Sequence, residues 1–253
     1  MITVSIIGSG NVAQHLIQAF SKSTEIELVQ VFSRQKKNVA HLIDSNQITD
    51  DLSTLAAADL YVIAVSDTAI ATVSSQLPFK NRLVVHTSGS VNIADLDDAN
   101  RKGVFYPLQT FTKNKAVDFS IIPICLESEH PEDFDLLEKV AKSITNITYK
   151  LNTEQRKAIH VAAVFVNNFV NHLYQIGNQI CTENQISFDI LKPLIEETAQ
   201  KVLTLSPIEA QTGPAKRKDN VTLDFHLSFL SDENQKTIYR ILTQSIQNNG
   251  QKL

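Results

Sequence analysis

The pattern of apolar and polar positions changes character once along the chain. In the first part, short apolar runs alternate with stretches whose apolar residues recur every three or four positions. Ile2–Ile7 reads as a buried strand, and Asn11–Ser21, with apolar residues at 12, 13, 16, 17 and 20, as an amphipathic helix. Further strands are expected at Glu27–Phe32, Leu60–Val65, Arg82–His86, Val104–Tyr106, Ile121–Leu126 and Ile147–Lys150. Helices are expected at Lys37–Ile43, Thr68–Gln76, Ile93–Arg101 and Pro131–Ser143, the last with proline in its first turn. Strands and helices in alternation predict an α/β domain with a doubly wound, mostly parallel sheet. From Thr153 the period is helical throughout, over Thr153–Glu183, Ser187–Leu205, Thr222–Leu230 and Asp232–Gln247. Thr153 is the expected side-chain cap of the first of these. Pro193 is expected to bend the second or delay its start. The polar tail Gln247–Leu253 is expected to fray. The boundary is placed near residue 150, between a domain over 1–150 and an all-α domain over 151–253.

Composition narrows the class. The chain has 253 residues, 43% hydrophobic and 20% charged, which excludes a disordered chain, a collagen-like fibre and a small disulfide scaffold. With 23 basic and 27 acidic residues, it has no global pull toward nucleic acid or an anionic membrane. The N-terminus lacks the basic and long apolar regions of a signal peptide. No run of about 18 apolar residues offers a membrane span. Cys125 and Cys181 lie far apart in apolar surroundings, with no zinc spacing. They are expected to be reduced, buried thiols of a cytoplasmic protein without a metal site.

Glycine is scarce, 7 residues in all, yet two of them fall in Gly8-Ser9-Gly10-Asn11-Val12-Ala13. This fits G-x-G-x-x-G/A between a strand and a helix, the context that a dinucleotide fingerprint requires; the alternative is a plain βα turn. Gly8 permits the tight turn, Gly10 lets a pyrophosphate approach the backbone, and Ala13 allows close helix–strand packing. The N–H groups of Ser9, Asn11 and Val12 complete the expected phosphate cradle. An NAD site usually carries an acid at the end of the second strand. Here that end reads Val31-Phe32-Ser33-Arg34, without an acid. Ser33 and Arg34 suit a 2′-phosphate and point to NADP; the alternative is a solvated basic start to the following helix. Ser66 and Asp67 follow the strand Leu60–Val65, at the sheet edge where ligands lie. Asp67 is also a natural helix cap. The hydroxyls of His86-Thr87-Ser88-Gly89-Ser90, that of Ser88 among them, and the Gly89 turn are expected at the nicotinamide end, where a lone histidine such as His86 is as readily structural as catalytic.

Between Ala158 and Val170 the first long helix is apolar nearly all round, so a central, buried helix is expected. At about 100° per residue, His160, Asn167, Asn171 and Asn178 fall on one narrow polar stripe, with Asn168 beside it. Such a stripe either faces a polar cleft or partner, or is satisfied inside the helical core. The stretch Gln211–Asn220 carries Gly213-Pro214 and three basic residues. Arg217 suits a substrate anion and Asp219 the orientation of a base; the alternative is an exposed turn.

These residues carry a resemblance. Gly8–Ala13, Phe32-Ser33-Arg34, His86-Thr87-Ser88-Gly89, Tyr106-Pro107-Leu108-Gln109-Thr110-Phe111, His160 with Asn167-Asn168-Phe169, and Thr212-Gly213-Pro214 through Arg217, Asp219 and His226 are the matching pieces. With them the chain resembles the NADP oxidoreductases that join a Rossmann-like N-terminal domain to an uncharacterised helical C-terminal domain. This deazaflavin-coenzyme NADP-oxidoreductase-like family is distantly related to pyrroline-5-carboxylate reductase and 6-phosphogluconate dehydrogenase. The resemblance implies a Rossmann domain, a C-terminal domain like that of 6-phosphogluconate dehydrogenase, a homodimer through the helical half, and an active site between the domains. Related hydroxyacid dehydrogenases place a catalytic lysine on the first long helix with an asparagine one turn later. Here His160 stands near that place, with Val164 one turn on and Asn167 two turns on. The expected activity is hydride transfer between NADP and a small carbonyl or imine. His160 is the expected proton donor, with Asn167 orienting it or the substrate. Ser88 and Gln109 are expected to line the nicotinamide side, and Asn168 and Arg217 to hold substrate. The alternative is a non-catalytic NADP-binding sensor, which needs no proton donor.

Overall fold

In this computed structural model, residues 1–113 and 115–249 are described. The chain forms two compact units, Met1–Asn168 and Phe169–Leu253. The first is built on strands β1 (Ile2–Ile7), β2 (Ile26–Phe32), β3 (Ile48–Thr49), β4 (Leu60–Ile63), β5 (Leu83–His86), β6 (Arg101–Pro107), β7 (Ile124–Ser128) and β8 (Thr148–Lys150). They make one sheet in the order β3-β2-β1-β4-β5-β6-β7-β8. All neighbours are parallel except β6 and β7. Strand order reverses beside β1, the switch point at which doubly wound sheets bind ligands. Register sets Ile7 opposite both Phe32 and Ile63, so the carboxyl ends of β1, β2 and β4 are level.

Helices cover both faces, which is why the central strands read as continuous apolar runs. Side chains alternate across the pleat. Val4, Ile6, Val62, Val85 and Phe105 meet Leu16, Ile17 and Phe20 of α1 (Asn11–Lys22). Ile7, Tyr61, Ile63 and Val84 meet Ile70 of α2 (Ile70–Ser75) on the other face. Helix α3 (Pro131–Lys142) adds Leu137 and Val140 to the first layer. Cys125 and Cys181 are free and buried, as expected.

Two expected helices are single 3₁₀ turns, Lys36–Asn38 and Ile93–Asp95. After the second, Asp97 accepts from the Ala99 amide and Asn100 from the Arg82 amide. The first of these is local and competes with a helix, and the second ties the segment to the start of β5. β6 starts at Arg101, earlier than the apolar pattern indicates, because Arg101 and Lys102 are carried into the sheet by ion pairs with Asp133 and Asp98. β3 is too short to show a period.

The stretch expected as one helix over Thr153–Glu183 consists of α4 (Thr153–Ala163), a π turn (Val164–Phe169) and α5 (Val170–Glu183). Asn152, not Thr153, caps α4, exchanging side-chain bonds with Gln155. The Thr153 hydroxyl donates to Glu127 at 2.6 Å. The π turn bonds i to i+5 and so departs from 100° per residue. The arithmetic that aligned His160, Asn167, Asn171 and Asn178 therefore does not hold. Nor is the helix buried in the single chain: Val161 is 57% and Val166 74% exposed.

The second unit continues from α5 into α6 (Lys192–Thr204), α7 (Pro207–Ala210), α8 (Pro214–Arg217), α9 (Asn220–Phe229) and α10 (Glu233–Asn249). A 3₁₀ turn capped by Ser187 precedes α6, and Pro193 sits in the first turn of α6. The one-turn helices α7 and α8 have no period to read. Asp219 caps α9 through the Thr222 amide at 3.2 Å and the Thr222 hydroxyl at 2.8 Å, so Thr222 lies inside that helix and does not start it. The contact boundary falls later than the change of element type after β8. Of the tail expected to fray, Gly250–Leu253 lies outside the described residues.

Candidate active site

The loop leaving β1 is shaped by a steric demand. The Gly8 amide donates to the Phe32 carbonyl at 2.9 Å, and Gly8 has a φ of +141°. A Cβ there would overlap the Ala64 carbonyl oxygen at the end of β4. Only glycine is compatible with both. Gly10, at the N-cap of α1, has ordinary φ and open space within 4 Å of where its Cβ would lie. The loop is braced by Gln14, whose amide side chain donates to the Ser9 carbonyl at 2.9 Å. Asn11 donates to the Phe111 carbonyl at 2.9 Å, which brings the segment after β6 against the start of α1.

A cleft of about 1030 Å³ opens here. Gly8, Ser9, Gly10, Asn11 and Val12 line it together with Ser33, Arg34, Ser66, Gln109, Asn167 and Asn168. The first-turn N–H groups of α1 have no intrahelical partners, and with the helix dipole they make an anion site. A cleft of this size, glycine-floored beside a helix N-terminus and with Arg34 on its lining, fits a dinucleotide. Ser33 is buried, and its hydroxyl donates to the Gln35 carbonyl at 2.9 Å while accepting from the Gln35 amide at 3.3 Å. Its proton is used within the turn, so Arg34, exposed on the lining, is the group available to a 2′-phosphate. Lys36 is paired with Asp50 at 3.1 Å.

Asp67, Ser88 and His160 do not line this cleft among the described residues. Asp67 is not a side-chain cap either. Its carboxylate accepts from the Ser90 hydroxyl at 2.5 Å, tying the loop after β4 to the loop after β5. The Ser88 hydroxyl accepts from the amides of Ser90 and Val91, both at 3.1 Å, and so shapes its own turn. The Ser88 amide donates to His86 Nδ1 at 3.1 Å. His86 is fully buried, and burial, with the charge of Arg156 adding to it, pushes its pKa down to about 3. It is a neutral structural histidine. Arg217 belongs to the second unit, exposed at the end of α8.

His160 has a different neighbourhood. Its Nδ1 lies 3.0 Å from the Tyr106 hydroxyl, and the two rings meet edge to face at 5.9 Å. A Cβ on Gly89 would come within 2.5 Å of His160 Nδ1 and 2.8 Å of Tyr106 Cζ. Burial pushes the Tyr106 pKa up to about 12, so the phenol keeps its proton. One turn before His160, Arg156 is wholly buried and donates to the Ser88 carbonyl at 3.0 Å and to Glu127 at 3.1 and 3.2 Å. These bonds fasten α4 to β7 and to the turn that carries Gly89. Tyr106, Arg156 and Glu127 were not among the residues expected at the site, whereas the turn at Gly89 was. Gly89 had a signal in the scarcity of glycine, and Glu127 in a charge at the end of an apolar strand. Nothing in the sequence links Arg156 to Glu127.

A glycine loop at the switch point of a doubly wound sheet, open over a long cleft, defines a dinucleotide-binding Rossmann domain. The family model described as NADP oxidoreductase coenzyme F420-dependent matches residues 3–89, and a domain of unknown function, DUF2520, matches residues 122–246. A protein of Bacteroides fragilis, classed provisionally as an NADP oxidoreductase, is 36% identical over 98% of both chains, with a TM-score of 0.86. The chain belongs to this NADP oxidoreductase family, whose dinucleotide is NADP. A Thermotoga maritima protein is 18% identical over 97% of both chains, with a TM-score of 0.75. An imine reductase from a Pseudomonas species is 13% identical over 98% of this chain and 94% of its own, with a TM-score of 0.67. These last two share the fold. No curated protein matches the chain.

Proposed function

We propose that the protein reduces a small carbonyl or imine with NADPH, and that His160 gives the proton. Bound NADPH supplies the hydride. The observation that carries the proposal is the placement of His160: Tyr106 and Gly89 fix one edge of its ring, and among the described residues Nε2 has no hydrogen-bond partner. An imidazole can both give and take up a proton, which suits a general acid. Asn167 and Asn168, with Gln109, bring amide groups to the cleft lining, where they suit the orientation of a polar substrate. The imine branch draws on the shared fold with an imine reductase.

The test is NADPH oxidation with a panel of 1-pyrrolines, ketones and keto acids. His160→Ala is expected to lower turnover roughly 10²–10⁴-fold with NADPH affinity nearly intact. Activity unchanged in this variant ends the acid role, and no turnover with any member ends the substrate class. Arg217→Ala joins the same assay as the test of a substrate anion.

A homodimer through the helical half belongs to the proposal. Ile190, Leu194, Leu203 and Phe225 are exposed apolar side chains of the second unit, and a symmetric partner is a common cover for such surface. Light scattering giving the monomer mass at micromolar protein would contradict it. A cytoplasmic location suits the free thiols of Cys125 and Cys181, and no described helix is long and apolar enough to cross a membrane. Fractionation of the cells tests it.

A further inference from the structure

We infer that Tyr106 is a positioning residue for His160: its phenol donates to Nδ1 and so keeps the ring's own proton on Nε2. This rests on the reading of His160 as proton donor and adds how the donating nitrogen is chosen. The Tyr106 hydroxyl has one hydrogen-bond partner among the described residues, His160 Nδ1 at 3.0 Å. It holds its proton throughout the working pH range, because burial raises its pKa to about 12. A hydroxyl that stays protonated and has one acceptor in reach donates to it. A neutral imidazole that accepts at Nδ1 carries its proton at Nε2. When the ring takes up a second proton, Nδ1 becomes the donor and the phenol oxygen accepts, so Nε2 still carries a proton.

The surroundings allow little freedom to undo this. Gly89 lies so close that a single added carbon would displace Nδ1, and the edge-to-face contact with Tyr106 closes another side. Arg156, four residues earlier on the same helix, is bonded to the Ser88 carbonyl next to Gly89. The turn behind the ring and the helix that carries it are therefore held by one side chain. Orientation of a catalytic imidazole through its second nitrogen is a known way to fix tautomer and direction together.

Nitrogen NMR of the full chain with labelled histidines tests this without any substrate. The His160 signals are assigned by their loss in His160→Gln. At a pH where the ring is neutral, wild-type His160 is expected to carry its proton on Nε2 alone, with the Nδ1 resonance displaced toward the hydrogen-bonded value. Tyr106→Phe keeps the ring contact and removes the hydroxyl. It is expected to shift Nδ1 to the value of a free acceptor and to loosen the tautomer preference. Gly89→Ala reaches the same bond from the other side and is expected to move the same resonance. Wild-type His160 protonated on Nδ1 in its neutral form, or a resonance unmoved in Tyr106→Phe, would overturn the inference. The wild-type spectrum decides even if a variant does not fold. Unchanged turnover in His160→Ala would end the acid role and leave the tautomer result standing, so the two readings fail separately.

Discussion

The guanidinium of Arg156 and the carboxylate of Glu127 meet at 3.1 Å inside the first unit, with side chains 1% and 12% exposed. Both ions give up hydration there, and their attraction offsets that only while each is hydrogen-bonded. Arg156→Met leaves Glu127 without its cation and the Ser88 carbonyl without its donor. The expected loss is about 3–5 kcal/mol, read from urea unfolding. Removing both charges, in Arg156→Met with Glu127→Leu, is expected to lose clearly less than the sum of the two single losses. Strict additivity in this cycle would mean that the pair is not coupled.

Stability is expected to fall in mild acid through His86. Its folded-state pKa is about 3, because burial and the Arg156 charge oppose protonation, against an ordinary 6.5. Between these values the unfolded chain binds a proton that the folded chain refuses. Stability from this group is fully present above pH 6.5 and drains away as pH falls toward 3. With each tenfold change in proton affinity worth about 1.4 kcal/mol, the loss across the window is on the order of 5 kcal/mol. His86→Gln does not titrate. It is expected to be less stable at pH near 7 and to lose less than wild type on going to about pH 4.5. Parallel pH curves for the two proteins would assign the acid sensitivity elsewhere.

The sheet was legible because its strands are buried on both faces and so appear as apolar runs. The glycine loop was legible because Gly8 answers a demand that one position can state. His160, Asn167 and Asn168 stood out as polar residues in an apolar helix. Their arrangement was not legible, since the π turn at Val164–Phe169 changes the angular progression without any proline or glycine to mark it. Hydroxyls and carboxylates were the least readable. Ser33, Asp67, Ser88 and Asp219 suit a ligand in composition, yet their oxygens engage nearby chain. A short polar side chain bonds whichever donor the local turn presents, and sequence does not show the turn. Tyr106 and His160 are 54 residues apart, and only the fold brings them together.

Preference for NADP over NAD is expected to rest on Arg34. It is exposed on the cleft lining, while the Ser33 hydroxyl is engaged with Gln35 and Lys36 with Asp50. Charge-assisted bonds to a 2′-phosphate are worth about 1.5–3 kcal/mol. Arg34→Ala is therefore expected to weaken NADPH binding roughly 10- to 100-fold and to leave NADH binding nearly unchanged. Fluorescence titration with both cofactors checks it. An equal loss for both would move Arg34 from phosphate recognition to loop structure.

The two glycines of the loop are expected to fail in different ways. At Gly8 a side chain is excluded by the fold itself: φ is +141°, and a Cβ would overlap the Ala64 carbonyl oxygen, which is backbone and cannot turn aside. Gly8→Ala is expected to cost at least ~1–3 kcal/mol of stability, with β1 and β4 forced apart at their carboxyl ends. At Gly10 nothing in the protein stands within 4 Å of an added carbon. Gly10→Ala is expected to unfold within about 1 kcal/mol of wild type, the difference being that between glycine and alanine at a helix cap. Its added methyl projects into space that is open in the protein alone, where a pyrophosphate lying against the helix N-terminus needs the backbone bare. NADPH affinity is accordingly expected to drop roughly 10-fold or more in a protein that remains folded. Thermal unfolding and cofactor titration on the same two variants separate the effects. Gly10→Ala binding NADPH as tightly as wild type would place the pyrophosphate away from this loop, whatever the stability of Gly8→Ala.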